Sequence, residues 1–309
     1  MNNYEAVNCP VCNSNKYSIK FPIQYESDGV LDKLKIDGKN VKVKVYLCGK
    51  CFHSYANPQL KGDLITEYYS KLDSEYYKTE NPPIDDMITE DNRIINIIKK
   101  YKNSGNILEL GCGYGFLLKK FERESWNIYG IEPSKHASEF GKKELLLNIK
   151  QGFLTLGDFP PQFFDVIIMS DVIEHLRKPN ELFELIKHYL KPDAIILIKT
   201  GNIDSLYAKI CGRWWGYFGS WEHISFFSPR SIEYLLKENN LKLNDIYFVP
   251  HFSGFIKNLK SVVYSLTVIL VKNLIKSALN KFFQKNYKTR QLLIAYDHII
   301  VVSRPSDLT

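Results

Sequence analysis

The sequence predicts an α/β protein with a mostly parallel, doubly wound sheet and a small cysteine-containing module in front of it. Three observations support this class. A strand at 106–110 leads through a glycine-rich turn into a helix pattern over 116–124. Several short, continuous apolar segments are typical of strands that are buried on both faces. The 309 residues suffice for one full α/β core plus a small module.

Seven strands are predicted from these apolar segments. They lie at 106–110, 126–134, 148–151, 164–170, 194–199, 244–249 and 298–302.

The glycine-rich turn contains Gly111, Gly113 and Gly115. Glycine permits a positive φ and close approach of a ligand, and the helix that follows begins with unpaired N–H groups. A nucleotide-like cofactor fits such a turn. The spacing differs from a dinucleotide fingerprint, which would place its third glycine where this chain has Phe116. An ordinary strand-to-helix turn is the alternative interpretation.

Two carboxylates accompany the turn. Glu109 precedes it, and Glu132 ends the second strand, about twenty residues further on. The carboxyl ends of adjacent parallel strands open onto one crevice, where a ribose diol needs a two-oxygen acceptor. Glu132 is therefore predicted to bind a ribose, and a solvated position at the start of a helix is the alternative.

The pattern E-x-G-x-G-x-G resembles motif I of the class I methyltransferases that use S-adenosylmethionine. The segments 170–176 and 221–229 look like two further elements of that family. The resemblance implies a Rossmann-like seven-stranded sheet, mostly parallel, in which a closing hairpin makes the last strand antiparallel. The predicted cofactor-binding residues are Glu109, Gly111, Cys112, Gly113, Gly115, Glu132, Pro133, Phe153, Ser170 and Asp171.

The order of parts also resembles sugar C-methyltransferases and shorter bacterial methyltransferases encoded with surface-polysaccharide genes. The chain is expected to be of the shorter type, because the sequence ends soon after 298–302 and the additional C-terminal domain of the sugar C-methyltransferases is expected to be missing. The resemblance implies a small polar acceptor, namely a sugar or a sugar nucleotide, and a lipid-linked glycan intermediate would also suit the basic, apolar segment 255–290. The paired elements Glu174-His175 and Glu222-His223 suggest a base and therefore favour O-methylation.

Four cysteines form two C-x-x-C pairs, Cys9 with Cys12 and Cys48 with Cys51. One tight turn with this spacing directs two thiolates at one tetrahedral ion. The loop of thirty-five residues between the pairs is acceptable, because the entropy cost of closure grows only logarithmically with length. A structural Zn²⁺ is predicted, and disulfides or redox dithiols are the alternatives.

Methyl transfer to a hydroxyl needs a positioned acceptor and removal of a proton. His175 and His223 are the candidate bases, because the unperturbed pKa of histidine suits that proton. Glu174 and Glu222 precede them and are predicted to orient an imidazole or a substrate hydroxyl. Structural roles for both histidines, or a divalent ion held by Glu174, His175 and His223, are the alternatives. The predicted substrate contacts are aromatic: Tyr76, Tyr77 and Trp221.

The predicted organisation is a zinc ribbon at 1–62, a tyrosine-rich helical connector at 63–95 and a methyltransferase domain at 96–309. The segment 255–290 carries eight basic residues and no acid, which accounts for the formal net charge of +7. Its apolar run is near ten residues, too short for a span of about twenty. A helical lid, attachment to an anionic membrane surface and nucleic-acid contact are the three interpretations.

The start of the chain lacks the regions of a secretory signal, and the cysteines form no disulfide framework. A cytoplasmic protein is therefore expected, which could also attach peripherally to the inner face of the membrane.

Two other functions stay open. One is an RNA methyltransferase that uses the ribbon to hold its substrate, and the other is an inactive zinc-containing protein of membrane recruitment or binding. The residues around the two C-x-x-C pairs carry little extra positive charge, which disfavours nucleic acid as a partner of the ribbon.

If 255–290 binds anionic lipid, the intact protein will float with anionic vesicles and a version lacking 255–290 will not, because the basic residues supply the attraction. Liposome flotation measures the partition of both proteins, and neutral vesicles are the control. Equal partition of the two proteins onto anionic vesicles would contradict the membrane interpretation.

Overall fold

The computed structural model describes residues 3–23, 36, 41–74, 76, 84–122, 125–250 and 296–306. The strands are β1 (Tyr4–Glu5), β2 (Tyr17–Ile23), β3 (Val43–Cys48), β4 (Ser54–Asn57), β5 (Gln59–Leu60), β6 (Gly105–Leu110), β7 (Trp126–Glu132), β8 (Ile149–Gln151), β9 (Phe164–Ser170), β10 (Leu190–Gly201), β11 (Ser225–Phe226), β12 (Leu241–Val249) and β13 (His298–Pro305). The helices are α1 (Gly62–Ser70), α2 (Ile84–Ile98), α3 (Phe116–Glu122), α4 (Lys135–Glu144), α5 (Pro179–Tyr189), α6 (Leu206–Cys211) and α7 (Pro229–Glu238).

The large sheet has the order β12-β13-β10-β9-β6-β7-β8. Strands β6 to β10 pair in parallel, whereas β13 pairs antiparallel with both β10 and β12. The predicted seven-stranded, Rossmann-like sheet with an antiparallel last strand is therefore confirmed. All seven predicted strands form, including the short one at Ile149–Gln151.

The continuous apolar run of β9 follows from its central place in the sheet. Ile167 and Met169 pack into one hydrophobic cluster with α5 and α7, and Val166 and Ile168 pack into another with α2 and α3. Successive side chains of a strand point to opposite faces, so a strand covered on both faces needs apolar residues at every position.

A second, four-stranded sheet has the order β11-β4-β3-β2. Its edge strand β11 comes from the segment after His223 and pairs antiparallel with β4. The amide of Ala56 donates to the carbonyl of Ile224 (2.9 Å), and the amide of Ile224 donates to the carbonyl of Glu174 (3.0 Å). The cysteine-containing sheet is thus completed by a strand from beyond residue 96, and the predicted boundaries 1–62, 63–95 and 96–309 stay a prediction.

The basic segment 255–290 lies outside the described residues, as do Tyr77 and part of the connector. Across the described ranges, no helix is both long and apolar enough to cross a membrane. The predicted membrane contact and the predicted lid stay predictions.

Gly115 illustrates why the turn needs glycine. Its φ is +86°, and a Cβ there would lie 2.4 Å from Cδ1 of Leu147 and 3.2 Å from Cδ1 of Ile149. Leu147 and Ile149 are themselves buried. A side chain at this position therefore meets both backbone strain and a packed core.

Gly115→Ala should lower the free energy of unfolding by about 2–4 kcal/mol, because overpacking adds to the cost of the positive φ. Gly157→Ala is the matched control, since its φ is +91° and nothing lies within 4 Å of the added Cβ. Equilibrium urea unfolding compares the two variants. An equal loss in both would mean that the core contact contributes nothing.

Candidate active site

Residues from four strands meet at the carboxyl edge of the large sheet. The glycine turn follows β6, Glu132 ends β7, Asp171 follows β9, and Thr200 lies near the end of β10. A Cβ on Gly111 would lie 2.7 Å from Cγ2 of Val172, so the turn touches the segment that follows β9. Parallel strands that end side by side produce a crevice at this edge, which is where ligands bind in open α/β sheets.

The turn adopts the conformation that its glycines permit. The φ angles of Gly111 and Gly113 are +67° and +53°. The buried carboxylate of Glu132 accepts hydrogen bonds from the amides of Gly113 and Ser134, both at 2.8 Å. Each carboxylate oxygen has two lone pairs, so one amide on each does not exhaust the acceptor capacity that a ribose diol requires.

Glu109 lies beneath the turn and is 6% exposed. Its Oε2 is buried and makes no hydrogen bond within the described part of the chain. Burial, together with the nearby carboxylates of Asp91 and Glu132, raises the pKa of Glu109 well above its ordinary value. A buried acceptor without a donor is costly, so this position fits a ligand that brings positive charge or an N–H group.

Lys199, near the end of β10, is buried between Glu90 of α2 and Asp171. Burial acts to lower the pKa of Lys199, but the two carboxylates outweigh it and raise the pKa. This ion pair fastens helix α2 and the segment after β9 to the edge of the sheet. Asp171 itself has a positive φ of +53°.

The remaining predicted cofactor residues occupy varied positions. Cys112 is buried, and its Sγ would lie 2.7 Å from a Cβ built on Gly130. Ser170 ends β9 and Pro133 follows β7, and both are half-buried. Phe153 is 46% exposed. Their contacts with a cofactor stay predictions.

The structure brings the two predicted Glu-His pairs together. Glu174 lies in a single 3₁₀ turn, Ile173–His175, and is fully buried. Its carboxylate accepts hydrogen bonds from the hydroxyls of Tyr217 and Thr200. Burial and the negative charge of Asp171 raise the pKa of Glu174.

His223 is fixed by Tyr217 in two ways. The two rings stack with centroids 4.0 Å apart, and Nδ1 of His223 lies 2.7 Å from the Tyr217 carbonyl oxygen. A carbonyl can only accept, so Nδ1 carries the proton and Nε2 keeps its lone pair. The ring of His175 lies edge-on to that of His223, with centroids 5.0 Å apart.

His175 is held by Tyr69 from the connector and by Glu222. Its Nδ1 lies 3.0 Å from the hydroxyl of Tyr69 and 3.7 Å from Oε2 of Glu222. The hydroxyl of Tyr76 donates to the same Glu222 oxygen at 3.0 Å. Two tyrosines from before the large sheet therefore join the predicted catalytic residues.

Both imidazoles are neutral at pH 7. Burial lowers the pKa of His175 to about 4. Burial and the neighbouring His175 lower the pKa of His223 to about 4 as well. The ordinary histidine pKa that the sequence argument assumed therefore does not hold here.

Trp221 takes a different position from Tyr76, and its predicted contact with a substrate stays a prediction. It is 4% exposed and packs edge-on against Tyr68, with ring centroids 4.4 Å apart.

The sequence does not single out Thr200, Lys199 or Glu90, because a single polar residue within a strand or helix gives no periodic signal. The density of aromatic residues does predict that the segments of Tyr69 and Tyr217 shape the acceptor pocket, but it gives no sign of their hydrogen bonds to His175 and Glu174.

The four cysteines of the N-terminal module converge. Their Sγ atoms all lie within 4.8 Å of one another, with Cys9 and Cys51 at 3.5 Å and Cys12 and Cys48 at 3.4 Å. All four are free thiols, so the structure pairs none of them in a disulfide. One tetrahedral ion with metal–sulfur bonds of about 2.3 Å fits a set of thiolates at such separations.

Comparisons with known proteins agree with this geometry. A family model described as a methyltransferase domain matches residues 90–245, half of the chain. The ubiquinone biosynthesis O-methyltransferase of Saccharomyces cerevisiae is 27% identical over 170 residues, which cover 52% of this chain and 52% of that protein. The protein of the same name from Rickettsia typhi is 26% identical over 172 residues, covering 50% of this chain and 69% of its own length. The chain thus spans about half of the yeast relative.

Among solved structures, a SAM-dependent methyltransferase from Archaeoglobus fulgidus aligns with a TM-score of 0.51 and 20% identity, covering 70% of this chain and 93% of that one. At this identity the likeness shows the fold alone. The family match over half of the chain, with the motif residues in place, leads to one conclusion: the chain belongs to the methyltransferase-domain family.

Proposed function

We propose that the protein transfers a methyl group from S-adenosylmethionine to a hydroxyl of a small polar acceptor, a sugar, a sugar nucleotide or a lipid-linked glycan intermediate. The observation that carries the proposal is the meeting of two sets of residues at one sheet edge. The glycine turn with Glu109 and Glu132 forms one set, and the histidines with Glu174 and Glu222 form the other.

The cofactor side of the crevice is suited to a cation that also carries a ribose. S-adenosylmethionine supplies a methyl group on a sulfonium, which is already electrophilic. Glu132 would hold the ribose hydroxyls, and the orphaned Oε2 of Glu109 would accept from the amino group. The turn around Gly113 lets the backbone approach the ligand closely.

On the acceptor side, Nε2 of His223 would accept the hydroxyl proton. Its tautomer is fixed by the Tyr217 carbonyl, and its low pKa keeps the ring neutral at pH 7. His175, Glu222 and Tyr76 offer donors and acceptors for further hydroxyls of the acceptor. Holding the acceptor oxygen in line with the methyl group is the main task of these residues.

Oxygen as the methylated atom is supported by the relatives, which are named as O-methyltransferases. A polar acceptor is supported by the carboxylate, imidazole and phenol groups that surround the two histidines. Tyrosine rings also stack well on sugars. An RNA methyltransferase and an inactive recruitment protein are the two alternative functions, and binding and labelling experiments distinguish them from the proposed one.

The test has two parts. Calorimetry with S-adenosylhomocysteine should show binding at micromolar affinity, and absence of binding would leave the inactive scaffold. Incubation with labelled S-adenosylmethionine and separate panels of nucleotide sugars, free sugars and RNA should label a sugar acceptor. Labelling of RNA alone would overturn the proposed acceptor.

His223→Ala should lower turnover by roughly 10²–10⁴-fold, because the acceptor hydroxyl loses its proton acceptor. The dissociation constant for S-adenosylhomocysteine should stay nearly unchanged. His188→Ala, at an exposed position, is the control. Steady-state rates of acceptor methylation and calorimetry measure the two effects. An equal loss of turnover and of affinity for S-adenosylhomocysteine would mean that His223 has a structural role.

We infer that the four cysteines bind a structural Zn²⁺. Four thiolates leave no position for a substrate, so the ion would stabilise the fold and take no part in catalysis. The sheet that the cysteines anchor includes β11, and the adjacent Ile224 bonds to the Glu174 carbonyl. The metal therefore supports the segment that carries His223.

Cys48→Ser should retain one zinc equivalent less than the parent chain and lower Tm by more than about 5 °C, because metal binding contributes folding free energy. Cys211→Ser is the control, since that half-buried cysteine lies apart from the four thiols. Elemental analysis and thermal unfolding measure the two effects. An unchanged zinc content in Cys48→Ser would contradict the assignment.

A further inference from the structure

A second group of metal-ligating side chains lies at the acceptor end of the crevice. One ligand atom from each of Glu174, His175 and His223 lies within 4.8 Å of the others. Two imidazole nitrogens and one carboxylate oxygen form a ligand set that suits divalent transition metals, and three protein ligands leave positions open. Bonds of about 2.0–2.2 Å would require the three side chains to draw in by less than about 1 Å.

The surroundings of these three residues are those of metal ligands. A ligating histidine almost always donates its other ring N–H to a carbonyl, carboxylate or similar group. Nδ1 of His223 donates to the Tyr217 carbonyl at 2.7 Å, which leaves Nε2 as a ligand. With its proton on Nδ1, His175 donates to the Tyr69 oxygen at 3.0 Å and faces Glu222 at 3.7 Å.

The carboxylate is oriented in the same manner. Glu174 is fully buried, and one hydroxyl donates to each of its oxygens, Tyr217 to Oε1 and Thr200 to Oε2. The Tyr217 hydroxyl is itself held, because it accepts from the amide of Gly201 at 3.0 Å. Each oxygen keeps a second lone pair for a metal. A carboxylate fixed by two hydroxyls is pre-organised for coordination.

We propose that Glu174, His175 and His223 form a site for one divalent transition-metal ion, separate from the four-cysteine site, with an open position for the hydroxyl of the acceptor. The binding site stands on these contacts, whereas its catalytic role rests on the proposed methyl transfer. With the ion bound, Nε2 of His223 is a ligand and no longer the proton acceptor that it would be in the metal-free site. An acceptor hydroxyl on such an ion loses its proton to water instead, because the ion lowers the pKa of that hydroxyl. The oxygen electron pair then forms the O–CH₃ bond, and the S–CH₃ bond breaks with its electron pair going to sulfur.

The test counts metal. The full chain, with its cysteine site loaded, is dialysed against Zn²⁺ alone, and zinc per chain is measured by elemental analysis. The parent chain should bind one equivalent more than His175→Ala and one more than His223→Ala. His188→Ala, at an exposed position, should bind as much as the parent.

Two further measurements keep the result interpretable. Glu174→Gln should lose the same equivalent, since an amide is a poor metal ligand, and Tm shows whether each variant is folded. S-adenosylhomocysteine should bind all the folded variants as it binds the parent. An equal zinc count in the parent and in the folded histidine variants would contradict the metal site but not the proposed methyl transfer. Absence of S-adenosylhomocysteine binding by the parent would contradict the proposed function but not the metal site.

Discussion

The parallel pairing of β6 with β7 on one side and β9 on the other is the constraint on which the site depends. Glu109 lies opposite Gly130 in one ladder and opposite Ile168 in the other. Because the strands run in one direction, the residues that follow each of them meet at one edge, and the helices that return the chain cover both faces. The same pairing that builds the core therefore collects Glu132, the glycine turn and Asp171 around one crevice.

The second sheet also helps to position residues of this crevice. Strand β11 completes the cysteine-containing sheet through β4, and Ile224 bonds to Ala56 on one side and to Glu174 on the other. His223 immediately precedes this residue. The loop that carries this catalytic candidate is thereby fixed by two backbone hydrogen bonds at the residue that follows His223. The cysteine module is in this sense part of the active-site scaffold.

Local patterns predicted most of the fold. The apolar run of β9 and the glycines after β6 carry their own signals, because burial on both faces and positive φ each restrict which residues can occur. The cysteine pairs carry theirs in their spacing. No local pattern predicts the hydrogen bonds of Glu174 with Tyr217 and Thr200, because they depend on which segments the sheet order brings together. Trp221, which lies in an aromatic-rich segment, packs into the core against Tyr68.

The sequence by itself determined the family, the seven strands of the large sheet, the glycine turn and the two C-x-x-C pairs, because each is encoded within a few neighbouring residues. Only the tertiary structure decided that His175 and His223 face each other, that Tyr69 and Tyr76 reach them from the connector, and that Lys199 is buried between two carboxylates. The pKa values of the two histidines belong to this second group. Burial lowers them, and burial is a property of the packed chain that no local pattern contains.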